Sequence, residues 1–207
     1  MMTSSADTSI TGFFVRYRTI DLVTITTLGV AFGLVYWAWG KAYAPLSEPL
    51  VLAYPPLAGL FGGVWLIAGV VGGLIVRKPG AALVTELVAA AVSLLVVGGT
   101  EWGVSTLASG FFQGLGAELV LALLLYRRFG VVVAALAGAV AGAFESLYEW
   151  QSYYDYWDLP YKLVHLGLFA LSGAVVAGVG GWLLVQGLAR AGVLDAFGPG
   201  REQAREV

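Results

Sequence analysis

The sequence predicts an all-α polytopic membrane protein, a bundle of six transmembrane helices with both termini in the cytoplasm. Three observations carry this. Apolar stretches run at about residues 20–40, 55–76, 80–99, 107–126, 131–150 and 161–189, each at least the roughly 20 residues needed to span ~30 Å of hydrocarbon. The charge alternates by side: Arg16, Arg18, Arg77, Lys78, Arg127, Arg128, Arg190, Arg201 and Arg205 fall on one face, and only Lys41 and Lys162 on the other. That asymmetry is the positive-inside rule at work and sets the orientation. Finally, 59% of residues are hydrophobic, 12% are charged, and the mean hydropathy is +0.84, far from globular averages.

The elements follow in order. Residues 1–19 are polar and lack an early apolar core with a cleavage site, so a cytoplasmic segment rather than a removable signal peptide is expected. The first span carries Gly29-Val30-Ala31-Phe32-Gly33, a small-xxx-small pattern that lets a second helix approach closely. An outer loop is expected at 41–54. Arg77-Lys78-Pro79-Gly80 turns the second span into the third, and Arg127-Arg128-Phe129-Gly130 the fourth into the fifth. Outer loops are expected at 99–109, with Glu101 and Trp102, and at 151–160, which reads Gln-Ser-Tyr-Tyr-Asp-Tyr-Trp-Asp-Leu-Pro. Residues 20–189 form the transmembrane domain, and the charged tail 190–207 is expected to fray in the cytoplasm.

Polar side chains inside spans are costly and mark function. They are Glu86 in the third span, Gln113 and Glu118 in the fourth, Glu145 and Glu149 in the fifth, and His165 in the sixth. At 1.5 Å per residue, Gln113, Glu145, Glu149 and His165 lie within about 10 Å of the outer surface, and Glu86 and Glu118 about 9 and 12 Å from the inner one. Glu145 and Glu149 share a helical face, with Tyr148 beside them. Nearby aromatic residues include Trp102, Tyr148, Trp150, Tyr153, Tyr154, Tyr156, Trp157 and Tyr161. Carboxylates beneath an aromatic rim suit a flat solute that is hydrogen-bonding or cationic. The plainer alternatives are an interfacial aromatic belt, a satisfied interhelical His165, and Glu86 and Glu118 as interhelical glue.

Several classes are excluded. No Walker loop, His-Glu-x-x-His pair or Gly-x-Ser-x-Gly elbow is present, so no enzyme is expected, and ATP hydrolysis would belong to partner chains. No cysteine is available for a thiolate or a Cys-bound metal. No basic run suits nucleic acid, and no cofactor is expected.

Trp65, the run Arg77-Lys78-Pro79-Gly80-Ala81-Ala82-Leu83-Val84-Thr85-Glu86 and the run Gln113-Gly114-Leu115-Gly116-Ala117-Glu118 resemble the YkoE family. Members of that family are substrate-binding (S) components of energy-coupling factor (ECF) transporters. The resemblance implies capture of thiamine or its hydroxymethylpyrimidine precursor from outside. It also implies a membrane-embedded coupling (T) component and two ATPase subunits as partners. Trp65, Glu86, Gln113 and Glu118 carry over as candidate substrate contacts from the family motifs. Trp102, Glu145, Tyr148, Glu149 and His165 join them on chemistry. The resemblance further suggests that Gly29 and Gly33 dock the T component; packing within the bundle is the alternative. The competing function is a stand-alone, proton-coupled secondary carrier with Glu86 and Glu118 as its relay.

Overall fold

The computed structural model describes residues 17–206; Arg16 and most of the expected N-terminal segment lie outside them. The described residues form six membrane-embedded helices and a short terminal one. These are α1 (Thr19–Ala53), α2 (Pro55–Val76), α3 (Ala81–Leu95), α4 (Ser105–Leu123), α5 (Val131–Ser152), α6 (Leu159–Arg190) and α7 (Gly198–Glu206). Five of them are long and apolar enough to cross a membrane.

The exception is α3, with 15 residues instead of the expected 80–99, about 22 Å of helix. Its C-terminus gives way to a loop in which Gly98, Gly99 and Gly103 all adopt positive φ, at 85°, 50° and 56°. Only glycine takes this conformation cheaply, and the loop completes the crossing that helix alone does not. In contrast, α1 runs on to Ala53 through Pro45 and Pro49, so the expected outer loop at 41–54 is helix. Each proline deletes one backbone bond, a loss tolerated at the wetted end.

The central helix is α2: 72% of its most apolar window is buried, and Val70, Val71, Leu74 and Ile75 anchor the core. Its first half, Pro55–Leu66, is wound as a tight 3₁₀ helix. Glycines on this segment let α6 approach. Gly63 N donates to Ser172 Oγ at 3.0 Å, and Ser172 Oγ donates to Leu60 O at 2.6 Å. Opposite them α6 widens into a π-helical stretch at Gly173–Gly180, where Gly173 and Gly178 meet Gly138, Ala134 and Ala135 of α5.

Gly29 and Gly33 are buried, and a Cβ on either would meet Val88, or Val92 and the Ala89 carbonyl, of α3. They are spent on packing α1 against α3. The expectation that they dock a partner is therefore corrected: the small-xxx-small face points into the bundle.

The tail is also not frayed. Leu194 and Phe197 are buried, and α7 is tied to the bundle where both terminal nitrogens of Arg77 donate to the Glu202 carboxylate, Nη2 to Oε2 at 2.8 Å. That contact holds the Glu202 carboxyl below its ordinary value, the Arg77 hydrogen bond being the main cause.

Candidate functional site

At the end of the bundle opposite Arg77 and Arg127, residues of all six embedded helices and the 96–104 loop enclose a cleft. It holds about 690 Å³ of atom-free space, partly open to the outside, of which only about 60 Å³ admits the centre of a water molecule. The cleft is thus narrow and slot-like. Trp65, Trp102, Gln113, Glu145 and Glu149 line it, which brings together five of the sequence-predicted residues. A second lobe, with about 600 Å³ of atom-free space of which about 220 Å³ admits water centres, shares Trp65, Trp102 and Glu149 and adds Tyr43 and Tyr154.

The walls are aromatic. Trp65 stands edge-to-face with Trp102 at 5.3 Å between centroids and with Tyr43 at 5.2 Å. Trp65 Nε1 donates to Tyr36 O at 3.3 Å, fixing the indole. Trp102 is carried by the glycine-built loop after α3. Edge-to-face packing leaves ring faces available to a planar guest.

The floor is a polar chain. Glu145, 3% exposed, accepts from Ser109 Oγ through Oε1. The Gln113 amide turns its nitrogen to Trp65 O at 3.0 Å and Glu86 Oε1 at 3.2 Å and its oxygen to Ser109 Oγ at 2.8 Å, an orientation assigned from the network; the single Ser109 proton is then shared between that oxygen and Glu145 Oε1. Glu86, fully buried, takes Gly69 N at 2.7 Å and Tyr36 OH at 3.1 Å on Oε2. Two polar atoms stay without a partner among the described cleft-lining residues: the acceptor Glu145 Oε2 and the donor Trp37 Nε1. Buried polar atoms are normally bonded, so an orphan acceptor and an orphan donor in one cleft mark places for a guest's own donor and acceptor.

The remaining candidates lie elsewhere. Glu86 sits one layer behind the cleft, holding Gln113. Glu118 is at the arginine-rich end, where it accepts from Gly80 N at 2.6 Å, Ala82 N at 2.9 Å and Leu83 N at 3.3 Å, and from the Tyr126 hydroxyl. It caps α3, its acceptor capacity is spent, and it does not line the cleft; its expected contact with the solute is corrected accordingly. Tyr148 stacks on Phe112 at 5.2 Å and reaches Ser105 O at 3.4 Å, outside the lining. His165, fully buried, bonds Ser146 Oγ through Nδ1 at 2.8 Å and places Nε2 3.3 Å from Glu149 Oε2. It supports Glu149 from behind and does not face the cleft. Over it lie Tyr154 and Trp157, stacked at 3.9 Å; burial and the Glu149 charge raise the Tyr154 hydroxyl.

Sequence reasoning missed Tyr36, Trp37, Tyr43 and Ser109. The first two lay in a span whose one charge, Asp21, is far from them near the other end, and Tyr43 lay in a supposed loop. Ser109 stands four residues before Gln113, a one-turn spacing that could have revealed it.

The family described as "ABC-type cobalt transport system, permease component" matches residues 20–144. A Bacillus subtilis (strain 168) protein assigned as an HMP/thiamine permease, YkoE, is 32% identical over 190 residues, covering 90% of this chain and 92% of the relative. The crystal structure of an S-component of an ECF transporter superposes with a TM-score of 0.84 at 29% identity, covering 92% of this chain and 95% of the other. Six embedded helices, a slot at one end and these likenesses converge: the chain belongs to the YkoE family of substrate-binding S-components of ECF transporters, multi-pass proteins of the membrane.

Proposed function

We propose that the cleft captures thiamine or its hydroxymethylpyrimidine precursor from the outer side. The observation that carries this reading is the unpartnered, buried Glu145 Oε2 in a cleft that Trp65 and Trp102 also line. An aminopyrimidine offers what the cleft lacks: an exocyclic amino group to donate to Glu145 and a ring nitrogen to accept from Trp37, on a flat ring that can stack on an indole face. The thiazolium of thiamine adds a positive charge, and Glu149 on the shared wall of the two lobes supplies its counter-charge. The relative's assignment as an HMP/thiamine permease points the same way. A metal ion fits the donor set less well: among the described residues no three His, Asp or Glu side chains gather as ligands.

The first lobe is the narrower of the two, so seating a ring beside Glu145 calls for it to widen. The 96–104 loop, hinged at its three positive-φ glycines, supplies that movement by carrying Trp102 outward and back. The loaded protein then hands its solute inward in complex with a T component and two ATPase subunits, which provide the energy. The test is isothermal titration of the purified protein with each compound. Saturable one-to-one heat with either supports the reading; no heat from folded protein with both removes it.

A further inference from the structure

At the arginine-rich end, the turns after α2 and α4 and the terminal helix α7 surround an open hollow of about 1060 Å³. Seven basic side chains line it against a single acidic one, Glu202. Three of the seven are committed to acids, Arg77 to Glu202 and Arg18 and Lys78 to Asp21. The other four, Arg127, Arg128, Arg201 and Arg205, make no ion pair among the described residues, and Arg201 donates only to the Ala196 carbonyl. The positive-inside rule explains why cations lie at this end. It does not explain why they converge on one hollow.

Two further features sharpen the picture. The turn that delivers Arg127 and Arg128 is strained, Leu125 and Tyr126 both standing at φ 53°, a region non-glycine residues avoid. Tyr126 is pinned there by its hydroxyl bond to Glu118. The wall beside the arginines is aliphatic: Val131 and Val132 line the hollow, and Leu123, Leu125 and Val132 are 73%, 57% and 69% exposed. Cations and valines lining one hollow, with Leu123 and Leu125 exposed on the adjoining end of α4 and its turn, match a phosphate that carries acyl chains, whereas a free phosphate would use only the cations.

We infer that this hollow binds the headgroup of an anionic phospholipid of the cytoplasmic leaflet, its phosphodiester against Arg127 and Arg128 and its chains along Leu123, Leu125 and Val132. That leaflet is the one rich in anionic lipid. The site is independent of the solute cleft at the other end.

The test uses the full chain in nanodiscs of phosphatidylcholine with and without phosphatidylglycerol, counting retained lipids by native mass spectrometry. Phosphatidylglycerol is retained in preference, and Arg127→Gln with Arg128→Gln reduces that preference about 25-fold, at about fivefold per arginine near the surface. Arg127→Lys with Arg128→Lys keeps most of it and guards against misfolding as the cause; Lys162→Gln at the opposite end leaves it unchanged. No preference in the unmodified protein, or an undiminished one in the folded double glutamine variant, overturns the inference. Inorganic phosphate that raises the unfolding temperature in phosphatidylcholine discs as much as phosphatidylglycerol does overturns it in favour of a soluble anion.

Discussion

Ser109 bonds one oxygen of the Glu145 carboxylate and leaves the other bare toward the cleft. The carboxylate is thereby aimed without being satisfied. Glu145→Gln keeps shape and removes the charge, so it weakens both ligands, which share the aminopyrimidine, whereas Glu149→Gln weakens the cationic thiamine more than the neutral hydroxymethylpyrimidine. A charge-assisted hydrogen bond contributes about 1.5–3 kcal/mol, roughly tenfold to a hundredfold in Kd. Equal loss for both ligands in Glu149→Gln, measured by titration, would show that no charge pairing operates at Glu149.

Among the described residues the Trp102 indole nitrogen makes no hydrogen bond, whereas Trp65 is tied to Tyr36 O. Trp102→Ala therefore weakens both ligands several-fold, about 1 kcal/mol for a lost aromatic contact, with little change in unfolding temperature. Trp102→Phe restores most of the affinity. Trp65→Ala costs affinity and stability together, and paired thermal unfolding and titration separate the two effects.

Glu118 is a capping residue of α3. Glu118→Ala leaves the Gly80, Ala82 and Leu83 amides without their acceptor and destabilises the fold by about 1–3 kcal/mol, while the solute Kd of the folded fraction is unchanged. A large change in Kd with normal stability would return Glu118 to the binding site.

The fold class was legible because hydrocarbon thickness and charge asymmetry leave few alternatives for a chain with apolar runs of this length. Element ends were less so. Pro45 and Pro49 read as loop residues, yet α1 passes through both; at the wetted end of a long helix the lost backbone bonds cost little. The cleft acids Glu145 and Glu149 were legible because a carboxylate inside a span has few structural excuses. Glu118 misled for the same reason: its excuse, three exposed amides at the start of α3, is a tertiary contact that no spacing reveals. Gly29 and Gly33 misled because a small-residue face fits an internal helix as well as an external one.

The packing of those two glycines gives a direct check. In Gly33→Ala the new Cβ would sit 2.5 Å from Val92 Cβ and 2.8 Å from the Ala89 carbonyl, and overpacking of this kind costs about 1–3 kcal/mol. The isolated protein accordingly unfolds at lower temperature. Unchanged stability of the isolated chain would place Gly33 on a free face after all.

The Arg77–Glu202 contact makes the docking of α7 sensitive to acid. Because the folded-state value of Glu202 lies below its ordinary 4.5, the stabilisation is fully present above that ordinary value and is lost as pH falls through the lowered one. Glu202 is 56% exposed, so the effect is under about 1 kcal/mol. Hydrogen-exchange protection over residues 198–206, corrected for the intrinsic pH dependence of amide exchange, falls under acid relative to neutral pH, and Glu202→Gln removes the difference. Exchange that is equally acid-sensitive in that variant would assign the docking to Leu194 and Phe197 alone.

The most direct test of the central claim is a structure of the protein with thiamine or hydroxymethylpyrimidine bound. The account predicts a pyrimidine ring stacked on an indole face of the cleft with its amino group on Glu145 Oε2. A ligand seated elsewhere, or Glu145 Oε2 still bare beside it, would contradict it.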